Sequence, residues 1–312
     1  REFLFFNDFY SRITTMKYIF LVLLYIIAIL PFPLIYGIAF IINFILNVVV
    51  KYRSEIITAN LKQSFPEKST KEINQIKRNF YRNYTEVFME SIKLLTLSES
   101  RLRKMIRFRE DVAYEKFYQE DKGAIIITGH RGNFELGGQY LSMVLRHPFY
   151  GAYKPFKSKT FEFLWHKIRH NFNMKYIPAK QVSRFLFQHR NEGLYLTFLN
   201  DQSPTKGDQH FWINFLNKDA MFFTGPEKLA MKLNLPVYFI DMIRLSRGKY
   251  EFQVEEVSAN LKNEEKHEIS AKYVQLLEKA IRKYPDGWLW SHKRWKHERK
   301  TGKDEKTLKE KR

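Results

Sequence analysis

The sequence predicts an α/β fold, in which a mixed, largely parallel central sheet is flanked by helices and preceded by an N-terminal membrane-anchoring helical segment. Two patterns lead to this prediction. From Gly123 onward, short apolar runs alternate with helical stretches, which is typical of a sheet with crossover helices. Between Tyr18 and Val50 no charged residue occurs, and this run exceeds the roughly 20 apolar residues needed to cross a bilayer.

Pro31 and Pro33 divide the uncharged run. Because proline cannot donate a backbone hydrogen bond and disfavours helix in the residue before it, the run is either a kinked, tilted span or a short re-entrant hairpin in one leaflet. A cleaved signal peptide, which usually has a shorter apolar core, and an unusually apolar buried helix are the competing interpretations. We predict that residues 1–50 form a membrane anchor, transmembrane or re-entrant, kinked at Pro31 and Pro33.

The charge of the chain indicates an anionic partner. Its 312 residues include 53 Lys and Arg against 33 Asp and Glu, a formal charge of +20. Nucleic acid, anionic lipid and acidic carrier proteins are therefore candidate partners, but no nucleic-acid-binding motif stands out and we do not expect nucleic acid. Lys51 and Arg53 follow the apolar run, which by the positive-inside rule places the remainder of the chain in the cytoplasm.

The composition excludes several classes of protein. The chain has no cysteine, which rules out a disulfide scaffold, an iron–sulfur cluster, a Cys₄ zinc site and a cysteine nucleophile. Hydrophobic residues make up 45% of the chain, and this apolar content rules out an intrinsically disordered protein.

Residues 51–296 are predicted to form one domain, followed by a basic, disordered tail at residues 297–312. From Tyr52 to Phe108 the pattern is helical, and Ser69 and Glu72 have the spacing of a helix-capping box. Strands are predicted at Ala124–Thr128, Phe149–Tyr153, Gly193–Leu199, Pro236–Met242 and Tyr250–Val254. Helices are predicted at Phe134–Leu145, Thr160–Asn171, Val182–Arg190, Pro226–Leu233 and Glu268–Lys283.

The strongest candidate for catalysis is a histidine directly after the first predicted strand. His130 follows that strand, and Glu135 stands five positions later at the start of a helix. Gly129 and Gly132 allow a tight turn that would bring the carboxylate to the imidazole. A carboxylate on one ring nitrogen raises the basicity of the other, which is what removing a proton from an attacking hydroxyl requires. The alternative is a surface histidine in a salt bridge near a helix N-terminus.

The chain also resembles a known family, the bacterial late acyltransferases of lipid A biosynthesis, within the lysophospholipid and glycerophosphate acyltransferase superfamily. The family signature, His, four residues, then Asp or Glu, is matched by His130 and Glu135. The resemblance runs from Pro31 to Lys296. Its further blocks are Asn60–Glu67, Tyr153–Pro155, Asn200–Gln202, Phe222–Ala230 and Trp288–Lys296.

The resemblance implies a membrane-bound acyltransferase of the inner membrane that works on the cytoplasmic side. It would move a fatty acyl chain from an acyl carrier protein thioester to a hydroxyl of a lipid A precursor, without a metal or cofactor. His130 would be the general base, and Glu135 would hold and polarise it. The expected substrate-binding residues are Arg131, Asn133, Tyr153, Lys154, Asp201 and Gln202.

Several alternatives stay open at this point. Lys154 stands where the family usually has arginine, so the acceptor could be a lysophospholipid, an amino-acid lipid or a glycolipid. Lys154 and Asp201 could instead form an internal ion pair. The phenylalanine-rich stretch Phe211–Phe223 could line an acyl groove or pack in the core, and His292 with its basic neighbours could form a membrane-facing edge. A non-catalytic peripheral protein that binds anionic lipid is the alternative of another class.

Overall fold

The computed structural model describes residues 2–205 and 207–299. Most of the predicted basic tail, residues 300–312, lies outside the described residues. The described elements form a seven-stranded sheet and a separate two-stranded hairpin. The strands are β1 Ile106–Phe108, β2 Gly123–Thr128, β3 Phe149–Tyr153, β4 Lys175–Pro178, β5 Leu194–Leu199, β6 His210–Phe215, β7 Lys218–Phe223, β8 Val237–Ser246 and β9 Lys249–Ser258.

The strand order in the large sheet is β1-β9-β8-β2-β5-β3-β4. Every neighbouring pair in it is parallel except β8 with β9, which is antiparallel. The predicted fold class, a mixed and largely parallel sheet between helices, is therefore confirmed. Three features of the strands were not predicted: the short edge strands β1 and β4, and the hairpin of β6 and β7.

Helices cover both faces of the sheet. Their bounds are α1 Glu2–Ile29, α2 Phe32–Phe44, α3 Ser54–Ser64, α4 Thr70–Lys93, α5 Glu99–Met105, α6 Val112–Gln119, α7 Phe134–Val144, α8 Lys159–Arg169, α9 Val182–Gln188, α10 Gly225–Leu233 and α11 Glu268–Lys283. A π-helical turn at Ile45–Val49 extends α2. The capping box predicted for α4 is present, because Ser69 and Glu72 exchange side-chain to backbone hydrogen bonds.

Successive side chains of the central strand β2 point to opposite faces of the sheet, and each face has its own hydrophobic core. Ile125 and Ile127 pack in the cluster that includes α11, whereas Ala124 and Ile126 pack in the cluster that includes α7. All four residues are essentially inaccessible to solvent, and burying each isoleucine side chain stabilises the fold by about 1.5–3 kcal/mol. A strand that is buried on both faces has a continuous run of apolar residues in its sequence, and this is why β2 could be predicted.

The phenylalanine-rich stretch Phe211–Phe223 forms the hairpin of β6 and β7. Phe215 and Phe222 are completely buried, and Phe215 lies edge-on to Trp288 with ring centroids 5.8 Å apart. For these two side chains, core packing is the correct alternative, and the expectation that they line an acyl groove is wrong.

The N-terminal helices α1 and α2 break at the predicted point, between Ile29 and Phe32. Among the described residues, the segment Phe32–Val49, with mean hydropathy 2.1, is long and apolar enough to cross a membrane by length and composition alone. The apolar part of α1, Met16–Ile29, is shorter.

Candidate active site

Strands β2 and β5 end side by side. They are parallel neighbours that pair Thr128 with Leu199, and the backbone N–H of Asn200 donates to the Thr128 carbonyl oxygen at 2.9 Å. His130 and Asp201 each follow a strand end by two positions. The carboxyl ends of parallel strands, where α/β proteins build their sites, thus bring together two residues that are 71 positions apart.

His130 is held by Asp201 through two contacts. The imidazole Nδ1 lies 2.6 Å from Oδ1 of Asp201, and the backbone N–H of His130 donates to Oδ2 at 2.8 Å. The indole N–H of Trp288 donates to the same Oδ2 at 2.7 Å. Burial raises the pKa of the Asp201 carboxyl, but the charge of His130 and the hydrogen bonds from His130 and Trp288 outweigh burial and lower it to about 2.

The imidazole is partly exposed, and its other nitrogen contacts Gln202. The His130 side chain is 14% exposed, and its Nε2 lies 3.2 Å from the amide nitrogen of Gln202. The ring of Phe134 meets the imidazole edge-on at 5.0 Å between centroids. With Nδ1 held by an ionised carboxylate, Nε2 can accept a proton from a hydroxyl that reaches it.

The predicted hydrogen bond between Glu135 and His130 is wrong. Glu135 forms a bidentate ion pair with Arg169, whose nitrogens donate to its two oxygens at 2.9 and 2.6 Å, and it accepts a further hydrogen bond from the Trp165 indole at 3.2 Å. The cause is the start of α7: Asn133 caps this helix, so Glu135 lies in its first turn and faces α8 instead of the imidazole.

Arg131, predicted to bind substrate, forms a buried ion pair with Asp241 on β8. Its side chain is 2% exposed and its Nε donates to Oδ1 of Asp241 on β8 at 2.6 Å. Its other nitrogens donate to the carbonyl oxygens of Ala280 and Tyr284. These contacts use four of its five N–H donors, and the side chain borders a cavity of about 350 Å³. Arg131 therefore has a structural task, and substrate binding by it stays a prediction.

Asn133, also predicted to bind substrate, is completely buried. Its Oδ1 accepts from the backbone N–H of Leu136 at 3.2 Å, which makes Asn133 the N-cap of α7. Its amide nitrogen donates to Glu90 at 3.2 Å. The bond to Leu136 caps the helix, and the bond to Glu90 joins α7 to α4. Substrate binding by Asn133 stays a prediction that these contacts do not support.

Tyr153 and Lys154 lie at the end of β3, beside a cleft. Tyr153 lines this cleft of about 70 Å³ together with Trp165, Arg169 and Tyr176, and its hydroxyl donates to Glu162 at 3.2 Å. Lys154 is exposed. The alternative of an internal ion pair between Lys154 and Asp201 is wrong, because both Asp201 oxygens are taken up by His130 and Trp288.

The C-terminal basic block is divided: Lys293 and Lys296 are exposed, whereas Arg294 and His292 make contacts inside the fold. Arg294 is 1% exposed, and its guanidinium lies 4.0 Å from the ring centroid of Phe222. His292 Nε2 accepts the backbone N–H of Ser203 at 3.1 Å, and burial lowers the pKa of His292 to about 4. The predicted membrane-facing edge is therefore wrong for these two residues.

Two residues at this site were missed by sequence reasoning. Arg169 and Trp165 bind Glu135 from α8, and neither belongs to a block of the family resemblance. Trp288 begins the last block of the family resemblance, but its hydrogen bond to Asp201 was not predicted. A signal existed for Arg169 alone: it is a cation in the last turn of a predicted helix, which by itself indicates a helix C-terminus.

A histidine oriented by a buried, ionised carboxylate at the strand ends of an α/β sheet is the arrangement of an enzyme that uses a general base. The model of the bacterial lipid A biosynthesis acyltransferase family matches residues 7–297. The chain belongs to this family, and it is an acyltransferase.

Individual relatives are distant but match along most of their length. The chain is 21% identical over 269 residues to a lipid A biosynthesis palmitoleoyltransferase of Escherichia coli (strain K12), covering 86% of both chains. It is 24% identical over 257 residues to a lipid A biosynthesis acyltransferase of Haemophilus influenzae, covering 82% of this chain and 80% of that protein.

Proposed function

We propose that this acyltransferase moves a fatty acyl chain from an acyl carrier protein thioester to a hydroxyl of a lipid A precursor, at the cytoplasmic face of the bacterial inner membrane. The family and the names of the relatives support the acceptor. The +20 charge of the chain supports an acidic protein as donor, because opposite charge speeds the encounter. The apolar segment Phe32–Val49 supports membrane attachment.

The single observation that carries the mechanism is the 2.6 Å contact between His130 and Asp201. Nε2 of His130 takes the proton of the acceptor hydroxyl as its oxygen attacks the thioester carbonyl carbon. Asp201 holds the Nδ1 proton and stabilises the imidazolium that forms. The carbon–sulfur bond then breaks, and the imidazolium returns its proton to the leaving thiolate. General base catalysis of this kind contributes about 10²–10⁴-fold to a rate.

Gln202 is placed to orient the acceptor. Its amide nitrogen lies 3.2 Å from Nε2 of His130, so an acceptor hydroxyl that displaces this amide can donate to the imidazole and accept from the displaced N–H. Gln202 is accordingly a substrate-binding residue in this proposal, whereas Asp201 positions the base and does not contact the substrate.

Glu135 holds one wall of the cleft in place. It fixes the guanidinium of Arg169, which lines the cleft with Tyr153. Trp165 stacks against Phe161 at 5.5 Å and against Phe88 at 6.3 Å between centroids. Phe88 and Phe161 are 39% and 40% exposed, and they offer an apolar surface beside the cleft for an acyl chain.

The test is an acyl-transfer assay in detergent micelles. Acyl carrier protein thioester and acyl-CoA are each offered with a lipid A precursor and with a lysophospholipid. We expect transfer from the carrier protein to the lipid A precursor, and its loss in His130→Ala. His147→Ala is the matched control, since His147 lies against Gly193, before the amino ends of β3 and β5 and therefore at the opposite end of the strands from His130.

Each outcome has a defined meaning. Transfer to the lysophospholipid alone would keep the mechanism and replace the acceptor, and transfer from acyl-CoA alone would replace the donor. If His130→Ala transfers as fast as the parent, the proposed base is wrong. If no acceptor is acylated while the protein still binds anionic lipid, the non-catalytic alternative accounts better for the chain.

A further inference from the structure

Helix α2 is attached to α4 at both of its ends. Near its start, the hydroxyl of Tyr36 donates to Glu90 at 2.8 Å. Beyond the π-helical turn that extends it to Val49, the ring of Tyr52 stacks on that of Tyr84 with centroids 6.4 Å apart. Since Glu90 comes after Tyr84 in α4, the two helices run antiparallel, and α2 lies lengthwise on the domain.

Only one side of α2 is covered by this packing. Ile35 and Ala39 are completely buried against the domain. The opposite side keeps its apolar side chains between 43% and 68% exposed along the full length of the helix and its π-helical extension. We call this surface the bare face; it consists of Leu34, Phe40, Ile41, Phe44, Ile45, Val48 and Val49.

The charges of α4 decide how the bare face can meet a bilayer. Along the part that adjoins α2, helix α4 carries Arg82, Glu86 and Glu90, and the preceding turns carry Lys77 and Arg78. An upright α2 would bring this antiparallel helix into the hydrocarbon core, where charged side chains are costly. If α2 lies flat, only the bare face enters the apolar layer and α4 stays on the aqueous side.

Cations border the bare face. The guanidinium of Arg247, 54% exposed, lies 5.1 Å from the ring of Tyr36. That of Arg101 lies 5.3 Å from the ring of Phe32 at the start of α2. Lys51 follows its end and is exposed. Cations beside an exposed apolar surface match the anionic headgroups of a membrane, with the apolar side chains below them.

Helix α1 also lies on the domain. The carbonyl oxygen of Ala28 accepts from Nζ of Lys93 on α4 at 2.6 Å. Tyr18 meets Phe163 of α8 edge-on at 5.5 Å between centroids. Helix α8 ends with Arg169, which binds Glu135 and lines the cleft. The surface formed by α1 and α2 is therefore next to the helix that forms one side of the cleft.

We propose that α2 lies in the plane of an anionic membrane surface within one leaflet and does not cross the bilayer. This inference rests on the membrane attachment in the proposed function and adds the orientation of the domain. The cleft beside Glu135 then opens next to lipid, so an acceptor can approach it from the leaflet in which its own acyl chains lie.

The absence of cysteine in the chain permits a direct test. Leu34→Cys, Ile41→Cys and Val48→Cys are each labelled with bimane in the full chain, which is reconstituted into phosphatidylethanolamine–phosphatidylglycerol vesicles. Spin-labelled lipids then quench the fluorescence from near the headgroup or from deep in the acyl layer. A flat α2 gives one ratio of shallow to deep quenching at all three positions. An upright helix places Ile41 about 10 Å deeper than either end.

Phe187→Cys is the matched control. Phe187 is 53% exposed, but its helix α9 packs Val182 and Leu186 into the core cluster on the other face of the sheet from Ile35. We expect no quenching there. Deep quenching confined to Ile41 overturns the proposal, and so does the absence of quenching at all three positions. Acyl transfer is measured on the same samples, so that a failed transfer with uniform quenching refutes the proposed function and not the orientation.

Discussion

The two carboxylate oxygens of Glu135 accept hydrogen bonds from Arg169 at 2.6 and 2.9 Å, and the base His130 contacts Asp201 instead. The acid of the sequence signature is therefore not the acid that orients the histidine. Two carboxylates near the base have separate tasks, one holding the imidazole and the other holding a cation at the wall of the cleft. Replacing Asp201 should therefore lower the rate of acyl transfer, whereas replacing Glu135 should lower the free energy of unfolding.

Asp201→Asn should lower kcat about 10²–10⁴-fold with little change in KM for the acceptor. An amide cannot accept from both Trp288 and His130 as the carboxylate does, and its NH₂ group facing Nδ1 would favour the wrong imidazole tautomer. Steady-state kinetics with the lipid acceptor measures the loss. A kcat within twofold of the parent would show that Asp201 does not act through His130.

Glu135→Gln should lower the free energy of unfolding by about 2 kcal/mol, because it leaves the guanidinium of Arg169, which is only 14% exposed, without the carboxylate that binds it. Glu99→Gln is the matched control: Glu99 pairs with Arg103 on the surface, at 59% and 46% side-chain exposure, and its loss should cost less than about 1 kcal/mol. Equilibrium unfolding by urea in detergent measures both. Equal costs would mean that burial does not strengthen the Glu135 pair.

The parts of the fold that local pattern determines could be predicted from the sequence. The continuous apolar run of β2 and the periodicity of α11, whose predicted bounds Glu268–Lys283 are the observed ones, carry their own signals. His130 could be placed at a strand end for the same reason. Edge strands such as β1, three residues long, are too short to show a period.

The partners of the charged residues could not be predicted, because they depend on strand order and helix packing. Asp201 reaches His130 only because β5 lies beside β2 in the sheet, and nothing in either strand specifies that neighbour. Sequence reasoning therefore paired the histidine with the nearest acid along the chain. Arg131 illustrates the same limit: its ion pair with Asp241 depends on β8 being the other neighbour of β2.

Gly132→Ala should lower both the melting temperature and kcat. Gly132 has a φ of +56°, and a Cβ there would lie 2.4 Å from the carbonyl oxygen of Met242. The left-handed conformation alone costs about 1–2 kcal/mol for other residues, and relief of the clash would shift the turn that carries His130. Gly287→Ala, where a Cβ meets nothing within 4 Å, is the control. Similar effects of the two substitutions would contradict this account of the turn.

His292 should make the fold sensitive to mild acid. Burial lowers the pKa of His292 to about 4, from 6.5 for the free side chain. Between these two values the unfolded chain binds a proton that the folded chain does not. The free energy of unfolding therefore falls as the pH falls from 6.5 towards 4, by at most about 1.4 kcal/mol per pH unit from this group.

His292→Gln should reduce that slope, because glutamine can still accept the backbone N–H of Ser203 through its side-chain oxygen but does not titrate. Urea unfolding of the parent and the variant at several pH values in this window measures the difference. Asp201 contributes only near the lower end of this window, since its pKa of about 2 in the folded protein and its ordinary value of 3.8 both lie below it. Parallel curves for the two proteins would show that His292 takes up its proton as readily in the folded chain as in the unfolded one.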